Sequence, residues 1–434
     1  MNEIVNLNES YQALTPRLRI TGGKRLSGEV HISGAKNSAL VLMAASLLTD
    51  EDINLRNVPP LTDIVCMGKI LISLGVNLNH GIESLRINSA NLENIAPPYE
   101  LVNCLRASFF CIGPLLARMG ITQVPLPGGC RIGTRPVAEH IRGLKALNAK
   151  VEIQHGLVSA ITTGHEHRLK GAHIQLRCPS VGATETLLMA GVLAEGETII
   201  TNAAQEPEVV DLIGLLIAMG AKVHGAGTST LTLVGVDHLH GADYAVMPDR
   251  IEAGTFLLAA AITNSELRVA PFIAEHLGAV VTKLQQAGCR FKLDGIGIII
   301  YPCEIRSVSF TTRPFPGFPT DLQAPFMSVL ATATGTSRIT EKIYENRFQH
   351  VSELQRMGAS VVLHKDTVLI KGVSQLSAAP VTASDLRASA ALILAGLAAN
   401  GITYIQGLYH LDRGYAFIER KLRSVGASIE RLNP

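Results

Sequence analysis

The chain contains no tryptophan and only 4% aromatic residues. Its cores must therefore be built from Leu, Ile, Val and Ala. No run of like charges occurs, and the formal net charge is only +2. That balance argues against a nucleic-acid binder, which carries a strong basic surplus or stripe. No low-complexity tract interrupts the chain. The longest nearly unbroken apolar stretch, Ala388 to Ala399, is too short for a membrane span, which needs about 18 residues or more. The seven cysteines include no C-x-x-C pair and no His/Cys cluster with zinc spacing, so no metal site is expected. Residues 1–17 are polar and lack the charged-then-apolar order of a signal peptide. They read as a flexible extension of a cytoplasmic protein. An odd cysteine count in that setting implies reduced thiols, most of them in the core.

What is present is repetition. A helix end, a Gly or Asn, and a strand recur around residues 75, 148, 220, 288, 358 and 426, spaced 68 to 73 residues apart. Gly, and once Asn, suits the left-handed residue that closes a helix, and a period this regular signals internal repeats. A second series of helices begins near Lys36, Arg106, Gly182, Arg250, Asp321 and Arg387. These are apolar on every face and should be interior. Helices of the first series, such as His140 to Leu147 and Asp211 to Met219, carry more charge and should lie outward. One unit is about two helices with several strands. Six units over 434 residues give two domains of three, each large enough for its own core. The expected division is residues 18–35 plus 246–434 for one domain and 36–245 for the other. The chain crosses between them near residues 34 and 248, and Leu18 to Ser33 pairs with the second half. A cleft between two such domains is the natural ligand site.

Lys36, Arg106 and Arg387 stand at the starts of three interior helices. A cation there opposes the helix dipole, unless helix end and cation share an anionic ligand. The loop Pro125 to Pro136 is rich in Gly and Pro and holds Cys130 between Gly129 and Arg131, with Arg135 close behind. Nearby guanidinium groups favour a thiolate, so Cys130 reads as reactive. The rigid segment Pro314 to Pro319 delivers Asp321, a candidate general base. Arg347 and Arg413 fall on strand-to-helix connections. Together with Lys36, Arg106, Arg135 and Arg387 they suggest a pocket for a small polyanion, since guanidinium forks bind phosphate and carboxylate bidentately.

Eight ordered motifs carry a family resemblance: Ser33 to Asn37, Leu126 to Cys130, Arg135 to Val137, Ser180 to Thr184, Pro319 to Asp321, Glu345 to Phe348, Asp385 to Ser389, and Asp412 to Tyr415. From about Leu18 to the C-terminus the chain resembles the UDP-N-acetylglucosamine 1-carboxyvinyltransferases, the enolpyruvyl transferases of peptidoglycan synthesis. The resemblance implies an α/β fold of two inside-out barrels, each of three βαβαββ-like repeats. It implies transfer of the enolpyruvyl group of phosphoenolpyruvate to the 3-hydroxyl of UDP-N-acetylglucosamine, by addition and elimination, with no cofactor. By the same resemblance Lys36 contacts phosphate, and Asn37 the sugar or the intermediate. Arg135 and Arg413 hold phosphoenolpyruvate, with Arg347, Asp385 and Arg387 alongside. Arg106, the segment Arg135, Pro136, Val137, Ala138 and Glu139, and the segment Cys178, Pro179, Ser180 and Val181 match nucleotide-sugar contacts. Asp321 is the base at the sugar hydroxyl and Ile343 a backbone contact to the sugar. Cys130 matches the loop cysteine assigned to proton transfer and product release, which fosfomycin alkylates in the family. At Ala138 and Cys178 the chain departs from members that carry Asp and Lys there.

The sister enzyme, 5-enolpyruvylshikimate-3-phosphate synthase, shares fold and chemistry. The Cys130 loop and the Arg135 to Val137 segment favour the UDP-sugar reading. A catalytically dead UDP-sugar sensor would lack the base or the loop thiol, and both Asp321 and Cys130 are present.

Overall fold

The computed structural model describes residues 16–126, 132–133, 136–164 and 167–433. The expected flexible extension therefore lies almost wholly outside the described residues. Its last position, Arg17, opens the first strand, Arg17–Thr21.

The middle repeat of the sequence shows the plan. Strand His173–Gln175 leads into helix Val181–Gly191, strand Glu197–Thr201, helix Pro207–Ala218, and the strands Lys222–His224 and Thr230–Val234. Glu197–Thr201 pairs in parallel with His173–Gln175 and antiparallel with Thr230–Val234. Lys222–His224 pairs antiparallel with Thr230–Val234. Among the described residues, five four-stranded sheets are built in this way, and a sixth sheet of three strands has antiparallel pairs alone.

The two helices of a repeat differ as their sequences require. The first is mostly small and apolar and is buried on all sides, as in Arg250–Ile262, whose residues from Ile251 to Ala261 are all buried, Glu252 included. The second is amphipathic. Gly278–Gln286 buries only Val280 and Leu284, which lie four apart on one face. The glycine or asparagine that closes each second helix has positive φ in every repeat: 101° at Gly75, 66° at Asn148, 100° at Gly220, 106° at Gly288, 87° at Gly358 and 100° at Gly426.

Several helix starts differ from expectation. Arg106 and Asp321 do not open long α-helices. Each lies in a 3₁₀ turn, Arg106–Cys111 and Thr320–Leu322, and the α-helices begin at Ile112 and Gln323. Pro114 and Pro325 are the reason. Proline lacks an N–H and is tolerated only in the first turn of an α-helix, so each fixes that turn just ahead of itself. The outward helices run Ala138–Ala146 and Pro207–Ala218, starting earlier than their apolar pattern suggested. Pro207 occupies the favoured first position of its helix.

The chain divides into two compact units. One comprises Met1–Ile32, Arg131–Gly133 and Asp249–Pro434, the other Ser33–Cys130 and Thr134–Pro248. In the first, Arg17–Thr21 lies between Ile402–Gln406 and Ser428–Leu432, and Glu29–His31 runs beside Leu267–Ala270. In the second, Ala242–Ala245 supplies a parallel strand to Asp52–Arg56. Gly34 bridges to Pro248, and the Ala35 N–H donates to the Met247 carbonyl at 2.8 Å, so residues 33–35 and 246–248 stay together in the second unit. Ile132 groups with the first unit through its carbonyl, which accepts the Asn346 N–H at 3.0 Å. Among the described residues no helix is long and apolar enough to cross a membrane.

Candidate active site

In the first unit, four of the expected site residues form one ionic cluster. The Asp321 carboxylate accepts from Arg347 through one oxygen and from Arg387 through the other, the latter at 2.5 Å. Arg347 also lies 3.9 Å from Asp385. Asp385 caps the Leu386–Ala398 helix, accepting the backbone N–H groups of Arg387 and Ala388 at 2.8 and 3.1 Å. Both guanidinium groups are buried, with Arg347 and Arg387 each 5% exposed. Charges so placed persist only when paired, and two carboxylates face two guanidinium groups. Burial works against the Arg387 charge, but Asp321, Tyr415 and Asp249 together outweigh it and raise the pKa. Arg387 therefore does not wait unpaired at its helix start, as the dipole argument suggested. Tyr415 supports the cluster. Its hydroxyl sits 2.9 Å from Thr255 Oγ1 and 3.5 Å from Arg387 Nη1. Arg413, half-buried, lies two residues before it.

Glu341, which no motif flagged, organises the approach to Asp321. Its buried carboxylate accepts from the hydroxyls of Thr312 and Thr320 at 2.8 and 2.9 Å and from the backbone N–H groups of Ile343 and Tyr344 at 2.8 and 3.2 Å. Thr320 in turn accepts from Arg347 Nε at 3.3 Å. The only signal in sequence was its position, directly after the strand Thr336–Thr340 and just ahead of Glu345 to Phe348.

His350 is buried beside the same cluster, with Nε2 3.3 Å from Met327 Sδ. Burial lowers its pKa to about 4; Arg347 lowers it too, while Asp385 opposes. The folded state thus holds the imidazole neutral, whereas the unfolded chain protonates it below about 6.5. Stability is present above pH 6.5 and falls as pH drops towards 4, by about 3 kcal/mol if the whole shift is expressed. His350→Leu should flatten the stability profile between those values in urea titrations. An unchanged slope would remove His350 as its source.

The second unit holds the remaining described candidates. Lys36 Nζ donates to Asp63 at 3.2 Å, so the second of the three helix-start cations also has a carboxylate partner. Asn37 is exposed and Arg106 half-buried. Ser38 donates to Asp211, which also accepts from Tyr244 at 2.9 Å and the Met247 N–H at 3.3 Å. Burial raises the Asp211 pKa against these three bonds. Glu139 ties the first expected nucleotide-sugar segment to Arg177, the residue just ahead of the second. It accepts from Arg142 at 2.6 Å and from the Arg177 N–H at 2.9 Å, and the Arg142 bond lowers its pKa most. Pro136, Ala138, Cys178 and Pro179 are exposed, Ser180 and Val181 half-buried, and Val137 buried. Ser180 caps the Val181–Gly191 helix. Cys130 and Arg135 lie outside the described residues.

The cysteines are less buried than expected. Cys104 and Cys178 are exposed, Cys66 and Cys303 intermediate, and Cys111 and Cys289 buried. Cys104 ends a short helix whose one buried residue is Val102. Among the described residues no group of three or more His, Cys, Asp or Glu could hold a metal ion.

A family profile described as EPSP synthase (3-phosphoshikimate 1-carboxyvinyltransferase) matches residues 20–422. UDP-N-acetylglucosamine 1-carboxyvinyltransferase of Parasynechococcus marenigrum is 62% identical, over 97% of this chain and 98% of its own. The chain belongs to the UDP-N-acetylglucosamine 1-carboxyvinyltransferase family. The protein of that name from Gloeobacter violaceus is 56% identical over 96% of this chain and 91% of its own. Among solved structures, the enolpyruvyl transferase NikO from Streptomyces tendae superposes with a TM-score of 0.86 at 25% identity, covering 96% of this chain and 99% of its own. EPSP synthase from Acinetobacter baumannii superposes at 0.73 and 20% identity, covering 96% of this chain and 100% of its own. The fold is that of the enolpyruvyl transferases, α/β with mixed sheets.

Proposed function

We infer that this chain transfers the enolpyruvyl group of phosphoenolpyruvate to the 3-hydroxyl of UDP-N-acetylglucosamine, releasing phosphate, in the first committed step of peptidoglycan synthesis. The observation that carries this reading is the 62% identity to a relative of that name over nearly the whole of both chains. The reaction needs no cofactor and takes place in the cytoplasm. Each unit is read as an inside-out α/β barrel of three βαβαββ-like repeats, supported by its three small sheets and its largely buried first helices.

In this reading Asp321 takes the proton of the sugar hydroxyl as its oxygen attacks C2 of phosphoenolpyruvate. Cys130 delivers a proton to C3, giving a tetrahedral ketal. Loss of a proton from the new methyl group and breakage of the C–O bond to phosphate then yield the enol ether. Lys36, Arg135 and Arg413 hold the phosphoenolpyruvate anion. Asn37, Arg106, Glu139, Ile343 and the Cys178 to Val181 segment hold the nucleotide sugar.

Arg347 and Arg387 bring a condition with them. A carboxylate bonded to two guanidinium groups is a poor base. One charge pair at about 4 Å is worth about 4 kcal/mol at an effective dielectric of 20. A ligand must carry comparable charge to draw the arginines from Asp321. Phosphoenolpyruvate, with a phosphate and a carboxylate, does so, and its arrival sharpens the base when the donor is in place.

The test is phosphate release from phosphoenolpyruvate with UDP-N-acetylglucosamine, with shikimate 3-phosphate, or with no acceptor. Release only with the UDP-sugar, with matching product mass, is expected. Release with shikimate 3-phosphate instead would reassign the acceptor.

A further inference from the structure

Cys289 and Cys303 stand outside every motif of the reaction. They flank the antiparallel strands Arg290–Asp294 and Gly297–Tyr301, in which Arg290 pairs with Tyr301. Their sulfur atoms lie 2.9 Å apart, closer than two non-bonded sulfurs usually rest. The backbone around them is already fixed. The Cys289 N–H donates to the Leu284 carbonyl at 2.9 Å, and the Arg306 N–H to the Ala287 carbonyl at 2.9 Å. Cys289 is buried and Cys303 only partly so, so an oxidant reaches one sulfur of the pair.

We propose that Cys289 and Cys303 form a reversible disulfide, a thiol-based modification site that staples the hairpin in the first unit. The partners are a peroxide as oxidant and a dithiol as reductant. The chemistry is asymmetric. The contact with the Cys289 thiol lowers the Cys303 pKa most, burial opposes, and the Arg290 charge assists. The Cys289 pKa is raised, first by the same contact and then by burial. Cys303 is thus the attacking thiolate. Its sulfur takes one oxygen from hydrogen peroxide, releasing hydroxide and leaving a sulfenic acid. The Cys289 sulfur displaces that hydroxyl as it loses its own proton. Two thiols and one peroxide become one disulfide and two waters. A dithiol restores both thiols by exchange.

The experiment treats the whole protein with hydrogen peroxide, blocks remaining thiols with N-ethylmaleimide, and maps non-reduced peptides by mass spectrometry. The expected result is a Cys289–Cys303 link, in preference to any pair involving the other cysteines, lost on dithiothreitol treatment. The oxidised protein should also unfold at a higher temperature, because the cross-link restricts the unfolded chain. In Cys289→Ser, Cys303 should persist as a sulfenic acid that dimedone traps. If that variant does not fold, the map of the unaltered protein decides alone. Both thiols found alkylated after peroxide has oxidised other cysteines would overturn the proposal, as would links from either to a different cysteine.

Discussion

Asp321→Asn should lower turnover by roughly a hundredfold to ten-thousandfold, the usual contribution of a general base. Asparagine keeps the shape and still accepts hydrogen bonds, but it cannot take the sugar proton. The same change should reduce stability. Arg347 and Arg387, each 5% exposed, lose the carboxylate that both of them bond. Breaking a buried ion pair from one side costs about 3–5 kcal/mol, with Asp385 retaining part of the balance through its 3.9 Å approach to Arg347. The two effects separate by experiment. Urea denaturation reads the stability, while steady-state phosphate release on folded variant reads the chemistry. Binding of UDP-N-acetylglucosamine by calorimetry should change little. Wild-type turnover from folded Asp321→Asn would eliminate this residue as the base.

Glu341→Ala should cost about 3 kcal/mol of unfolding free energy, because buried donors left without an acceptor are penalised individually. Two hydroxyls and two backbone N–H groups converge on this carboxylate. The loss should also reach activity. Thr320 precedes the base and bonds Arg347, and the Ile343 backbone is the proposed sugar contact. A fall in kcat/KM of about tenfold or more corresponds to only about 1.4 kcal/mol of misplacement. Glu341→Gln should be milder, since the threonine hydroxyls can rotate to accept from its amide. Equal damage from both substitutions would show that charge, not hydrogen-bond geometry, is what the site needs.

The repeat plan was legible because backbone geometry forced it into the sequence. A left-handed residue closes each outer helix, and Gly or Asn meets that demand at all six positions. The buried helices were legible for a similar reason: mostly small and apolar residues fit where every face is covered. The ionic cluster was half legible. Arg347, Asp385, Arg387 and Asp321 were each marked by motif, but sequence presented the arginines as cations awaiting a ligand. Their pairing with Asp321 depends on segments 26 and 66 residues apart, which no local pattern records. The Lys36–Asp63 contact was hidden in the same way. Glu341 left almost no trace, because its work is done for residues 21 to 29 positions back and two to three ahead. The 3₁₀ starts at Arg106 and Thr320 were written in Pro114 and Pro325, whose effect on the preceding turn the apolar pattern masked.

The placement of strand Arg17–Thr21 has a consequence for how the protein is made. Its neighbours are Ile402–Gln406 and Ser428–Leu432, with Arg17 opposite Leu432. The described strands between residues 33 and 248, by contrast, pair with one another. On a ribosome adding about 5–20 residues per second, the first strand waits roughly 20–80 seconds for the strands that flank it. During that interval an alternating apolar segment with Leu18 and Ile20 exposed must avoid pairing elsewhere. The unit synthesised second in the chain can complete its sheets while the one begun first remains open. Folding therefore runs from the inside of the sequence outward, and Arg17–Thr21 is among the last strands to be buried.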